Sequence, residues 1–427
     1  MDVSTVGCRS PTKKRSSVAS TTTIHSLDHD LVCLIFSFLD LFDLVRCSSV
    51  CTFWNRIVSK SKLLHTLYFK QTQNCGNLSS SMSEKPLRIY LAELAMERHR
   101  SVLLQGRLRV DQLKCHSVGI NQCRMKMGSL LTGVGDKVVR IWSVENYKCL
   151  EEYSLPDNVQ LVDFDFDESK VVGLIGTRIC IWTRHGKRSI FPSREGTLPQ
   201  GVCMRYTDPE AVVGCEDGTA RVFDMYSRTC SRIIRMHASS LTCLALSEDQ
   251  LILSGSSLGG VTISGLSSDQ RVATLKSSGS AGIKTLYFNP CWHLVFVGTT
   301  AGHVLCWDLR KMKMLWETKA STNVIYTMQA MHSDKSTLAV GGIDGVLRLL
   351  DQNTGEILSR CIIEGKVSTS SSSKVLSEMR RGRRISEDTQ IDSIPRTFRP
   401  PITCLAVGMK KVVTAHGYKN IRVWKFS

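Results

Sequence analysis

The sequence predicts a mainly β chain: a closed array of repeated antiparallel sheets behind a small all-α module. Three observations predict it. First, residues 132–142 (TGVGDKVVRIW) and 414–424 (TAHGYKNIRVW) share one grammar: a small polar strand end, a tight turn, then an alternating strand closing on tryptophan. Second, the position of Trp142 recurs as Trp182, Phe223, Ser264, Trp307, Leu350 and Trp424, at intervals of 40, 41, 41, 43, 43 and 74 residues. Third, the hydrophobic period shifts from helical to alternating near Gly106. An alternating hairpin cannot hide its apolar face alone, so such units must stack. A period of about 40–45 residues with four short strands is that of a β-propeller, and seven marks give seven blades.

Composition narrows the class. With 42% hydrophobic and 22% charged residues, the 427-residue chain reads as globular. No apolar run reaches the roughly 18 residues of a membrane span, and the polar, basic N-terminus lacks the apolar centre of a secretory signal. The 17 cysteines are scattered without any C-x-x-C. Cys180, Cys203, Cys243, Cys306 and Cys404 stand inside apolar strand-like runs, as small core residues of a reducing compartment, cytoplasm or nucleus. Without paired ligand spacing no metal site is expected, and no cofactor. The 55 basic and 38 acidic residues give a net charge of +17, which favours anionic partners.

Residues 1–22 are Ser/Thr-rich with a basic knot at Lys13, Lys14 and Arg15, and are expected to form a disordered tail, with the knot either a solubilising feature or a nuclear import signal. A helical module is expected over 23–72. Leu27, Leu31, Leu34, Ile35, Phe38 and Leu39 fall at spacings of three and four, the stripe of an amphipathic helix. Ser26 or Asp28 is placed to cap it, and Asp43 to cap a second short helix. A third carries Phe53, Trp54, Ile57 and Val58. About 40 residues of this kind bury too little to be comfortably stable; such a module either packs on the rest of the chain or invites a partner helix.

Residues 27–54 resemble an F-box. The likeness rests on Leu27, the run Ile35-Phe36-Ser37-Phe38-Leu39, Asp43-Leu44, Arg46, Val50-Cys51 and Trp54. Asp28 stands where the family usually has proline, and Leu41 or Phe42 where it often has a second. The resemblance implies that Leu27, Leu31, Ile35, Leu39, Val50 and Trp54 face an adaptor protein or fix the helices that do.

A linker signal at 74–85 (NCGNLSSSMSEK) and an amphipathic helix after Pro86 fill 73–102. The propeller then takes 103–427. Turn signals stand in register at Gly135-Asp136, Glu216-Asp217-Gly218, Ala301-Gly302 and Asp344-Gly345. This part resembles a seven-bladed WD-repeat propeller, with one clear tryptophan–aspartate pair, Trp307-Asp308. The resemblance implies a buried structural tetrad of His116, Thr132, Asp136 and Trp142 in blade one. Blade four keeps His237 and Ser254 but has Ser264 for tryptophan.

The chain stops just after a third strand of blade seven, so the alternating run 106–113 (GRLRVDQL) is expected to supply the fourth and close the ring. The long last interval marks an insertion, 366–400, expected to be disordered. Within it Arg383-Arg384-Ile385-Ser386 resembles a basophilic kinase target, making Ser386 a candidate phosphorylation site whose phosphate could dock on the loop's own arginines.

No catalytic constellation is found: G-x-x-x-x-G-K-[ST], G-x-S-x-G and H-E-x-x-H are all missing. An F-box ahead of a WD propeller resembles the substrate receptors of SCF-type ubiquitin ligases. That implies a non-catalytic protein whose F-box binds the adaptor, and through it the cullin and RING subunits, while the propeller holds the target. Propellers of this family commonly bind on the face made by the turns between second and third strands. Here those turns carry Lys137, Arg178 and Lys419, which suits an acidic or phosphorylated target. The alternatives are a WD-repeat scaffold unconnected with ubiquitin and a nucleic-acid- or chromatin-associated propeller. The latter is disfavoured because the aromatics sit mainly at repeat positions.

Overall fold

A computed structural model of the chain describes residues 24, 27–48, 50–64, 66–67, 96, 98–114, 116, 119–120, 122–134, 138–155, 161–184, 188–190, 199–268, 270–277, 279–331, 336–364, 377–408, 411–418 and 420–426. The tail expected at 1–22 and the linker expected at 74–85 lie outside them. The chain divides into two compact units, 1–95 and 96–427.

The first unit contains three short helices, α1 (His29–Ser37), α2 (Leu41–Ser48) and α3 (Thr52–Lys60). Asp28 caps α1 as expected, accepting from the His29 amide at 2.8 Å. At α2 the capping residue is Asp40, which accepts from the Asp43 amide at 2.7 Å. Asp43 instead sits inside the first turn and pairs with Arg46 at 2.8 Å. The helices enclose a small core of Val32, Phe36, Leu44, Ile57, Val58 and Leu64. Each such side chain contributes about 1.5–3 kcal/mol by leaving water.

The second unit is a seven-bladed propeller. Blades one to six each use four consecutive strands, within 122–154, 161–190, 201–235, 241–276, 283–319 and 325–363. Blade seven has only Cys404–Val407, Lys411–Ala415 and Asn420–Phe426 from the C-terminal end. Its fourth strand is β1 (Leu108–Lys114), which runs antiparallel to Asn420–Phe426 with Val110 opposite Trp424. The expected closure is therefore present.

The repeat marks stand in one register. Trp142 faces Leu130, Trp182 faces Val171, Phe223 faces Ala211, Ser264 faces Ile252, Trp307 faces Val295, Leu350 faces Leu338 and Trp424 faces Val412. At the turns glycine is required: a Cβ at Gly302, where φ is +84°, would lie 2.1 Å from the Ser321 carbonyl oxygen.

The innermost strands are sheet edges, and an edge leaves amides without ladder partners. Side chains of the neighbouring blade take them. Asp163 accepts from the Met204 amide at 3.0 Å and Asp165 from the Tyr206 amide at 3.1 Å. Thr327 and Gln329 do the same for Leu405 and Val407, at 3.2 and 3.0 Å. The Cys404 sulfur accepts from the Cys123 amide at 3.3 Å, joining blade seven to blade one. Asp163 also binds Arg124 at 3.0 Å and Arg205 at 3.2 Å, one from each flanking blade.

The insertion departs from expectation. Its residues 365–376 lie outside the described set, but 377–400 are ordered rather than disordered. Ser377–Arg384 forms a strand that pairs with β1 on one side and with Ile357–Ile363, the outer strand of blade six, on the other. Blades six and seven thus become one nine-stranded sheet. Two contacts hold the bridge. Ile385 is buried with Val346 and Ile362, and Arg384 donates to the carbonyls of Gly106 and Leu103, at 2.6 and 2.7 Å. The serine-rich stretch precedes this strand, which is itself arginine-rich.

Candidate functional site

In the helical unit the apolar stripe read from sequence mostly faces outward, and α1 buries two residues outside that stripe. Val32 and Phe36, four apart, turn inward. Leu31, Leu34, Ile35 and Phe38 turn outward, and Phe38 is 82% exposed. Leu27 and Val50 are exposed as well. Isolated exposed apolar residues are ordinary, but a contiguous apolar patch marks a contact surface. Of the six residues assigned from sequence, Leu31 and Ile35 belong to this helix face, and Leu27 and Val50 are exposed outside α1. Leu39 and Trp54 are half-buried and pack against the core. The Trp54 ring meets Phe36 edge-on, with centroids 5.3 Å apart. Leu34 and Phe38 were in the helical stripe but not in the assigned set; their positions three and seven after Leu31 were the signal for them.

In the propeller, the structure brings together three of the four tetrad residues. Thr132 accepts the Trp142 indole N–H at 2.8 Å, and His116 Nε2 lies 2.8 Å from the same hydroxyl. Arg140, which can only donate, lies 2.8 Å from His116 Nδ1. Asp136 lies outside the described residues. Blade seven has an equivalent built from different positions: Trp424 donates to Thr414 at 2.8 Å, and Thr414 meets His416 at 2.8 Å. His416 comes from the turn after the second strand rather than from the segment before the first. Blade four joins His237 to Ser254 at 2.9 Å. These groups are buried or half-buried and mutually satisfied, as structural polar cores are. In blade six the turn holds an ion pair instead: Arg348 and Asp344 meet at 2.6 Å with both side chains 1% exposed. Burial opposes the Asp344 charge, but Arg348 holds the carboxyl below its ordinary range.

Of the three cations assigned to target binding, Lys137 and Lys419 lie outside the described residues. Arg178 is exposed and opens the third strand of blade two. Ser386 is exposed just after the bridging strand, with its hydroxyl 2.9 Å from that of Thr389. Of the loop's arginines, Arg384 is committed to backbone carbonyls.

Seven blades closed by a strand from the N-terminal side of the ring, in a chain that also carries a three-helix module with an exposed apolar stripe, define a helical module joined in sequence to a repeat propeller. A family model described as F-box-like matches residues 25–70. The chain is 54% identical over 433 residues to an F-box/WD-40 repeat-containing protein of Arabidopsis thaliana, covering 95% of each. It is 21% identical to cell division control protein 4 of Saccharomyces cerevisiae, over 77% of this chain and 42% of that protein. Among solved structures, the crystal structure of the computationally designed Ika8 protein matches with a TM-score of 0.53 and 16% identity, over 74% of this chain and 98% of that one. At that identity the likeness concerns the fold alone. The chain belongs to the F-box/WD-40 repeat-containing protein family.

Proposed function

We propose that the chain is a non-catalytic substrate receptor of an SCF-type ubiquitin ligase, acting in the cytoplasm or nucleus. The observation that carries the reading is the apolar surface of Leu31, Leu34, Ile35 and Phe38 along α1 and its C-cap, together with the exposed Leu27 and Val50. It suits burial against the SCF adaptor subunit, through which the cullin and RING subunits would be reached. The propeller would hold a target protein near the ubiquitin-charged conjugating enzyme, so its contribution to the reaction is proximity. Target capture is assigned to the turns carrying Lys137, Arg178 and Lys419, and Ser386 to phosphorylation.

Binding of the full chain to purified adaptor tests this. Wild type should bind, and Leu31→Asp with Phe38→Ala should not. Equal binding by both, or none by wild type, rejects the ligase reading and leaves a WD-repeat scaffold.

A further inference from the structure

Blade seven and the bridging strand carry a row of like charges. Lys411 stands opposite Lys425, Lys425 opposite Arg109, and Arg109 opposite Arg381. Directly opposed residues in a ladder share a face, so four cations line one face of four adjacent strands. At about 4.8 Å per strand the row is about 15 Å long. Arg383, two residues beyond Arg381, extends it on the same face. Arg381 and Arg383 are both exposed.

Like charges directly opposite one another are destabilising, and the fold offsets only the inner part of the row. Asp111, buried on that face, takes Lys425 Nζ at 2.6 Å and Arg109 Nε at 3.1 Å. Lys411 Nζ donates to the Val144 carbonyl at 2.9 Å. The ammonium groups of Lys411 and Lys425 lie 5.8 and 5.0 Å from the centre of the Tyr147 ring. Burial, then the charge of Lys425, pushes the Lys411 ammonium down, with Glu145 and Asp111 opposing. The Arg381 and Arg383 guanidinium groups have no hydrogen-bond or ion-pair partner among the described residues. The outer end of the row is therefore open.

We propose that this row docks an extended, aspartate- and glutamate-rich segment of a partner protein. Arginine forks suit carboxylates, which they bind bidentately, and a row repeated strand by strand suits a chain of charges rather than a single ion. A nucleic-acid strand would call for aromatic faces on which bases stack; Tyr147, the ring at this row, is already met by two lysines. The surface is built from strand faces, not from the turns assigned to target capture above, and it does not depend on adaptor binding.

The test is fluorescence anisotropy with the full chain and a labelled oligo-glutamate peptide. R381E/R383E should weaken binding about tenfold or more and reduce its salt dependence. K313E/K319E, on the exposed outer strand of blade five, makes the same change in net charge and should leave binding within about twofold of wild type. Thermal unfolding of each variant checks the fold, and R381Q/R383Q replaces the reversal if that variant unfolds early. Equal loss in both charge reversals, or no loss in the first, overturns the proposal. So does tighter binding of a labelled oligothymidylate that is lost in the same variant, which would make the row a nucleic-acid surface.

Discussion

His416 stands two residues after Thr414, and its Nε2 lies 2.8 Å from the Thr414 hydroxyl. The carbonyls of Pro400 and Pro401, 3.2 and 3.1 Å from Nδ1, can only accept. Nδ1 therefore carries the proton, Nε2 accepts from threonine, and threonine accepts from Trp424. Burial, and then the charge of Arg422, pushes the His416 pKa down to about 3. An unfolded histidine titrates near 6.5, so on acidification the unfolded chain binds the proton first. The stabilisation is complete above about pH 6.5 and is lost as pH falls toward about 3, at up to about 1.4 kcal/mol per pH unit. Denaturant unfolding across this window should show the loss, and His416→Gln should flatten it while lowering stability at neutral pH.

Arg348 and Asp344 cannot be removed singly without harm. Arg348→Met leaves Asp344 buried and unpaired, and should cost about 3–5 kcal/mol in denaturant unfolding. The double variant, Arg348→Met with Asp344→Asn, should recover most of it, because neither change then strands a charge.

Phe38 and Trp54 should behave oppositely although both belong to the F-box. Phe38→Ala removes an exposed ring, so unfolding should move by less than about 0.5 kcal/mol, while adaptor affinity should fall by about 2 kcal/mol or more. Trp54→Ala removes the ring that meets Phe36 and should cost about 3 kcal/mol of stability in the helical module. Unfolding and binding measured on the same preparations separate the two roles.

Ring closure makes β1 essential to a blade far from it in sequence. Val110 is fully buried opposite Trp424, so Val110→Asp places an unpaired charge in the blade-seven core. Hydrogen exchange should then rise first in Lys411–Ala415 and Asn420–Phe426, before blades two to five respond.

The propeller was legible because its cause is periodic. A mark every 40 to 43 residues survives the replacement of tryptophan by Phe223, Ser264 or Leu350, since the register depends on the strand and not on the indole. The missing fourth strand of blade seven was legible by counting. What escaped was chemistry without a period. His416 lies inside a string compared directly with blade one, yet its role depends on a turn that folds it back toward Thr414. The bridging strand escaped because an arginine-rich sequence reads as solvated, and only the two flanking ladders give its amides partners. On α1 the apolar spacing was clear, but both inward and outward residues are apolar, so sequence could not separate Phe36 from Phe38.

The strand Ser377–Arg384 also has a mechanical consequence. Without it β1 would be a blade's outer rim, free to unzip one hydrogen bond at a time. With ladders on both flanks, a tug transmitted along the chain into Leu108 loads two sets of bonds together, in shear. The segment that joins the propeller to everything N-terminal to it is thus held like a middle strand of a blade rather than like an outer rim.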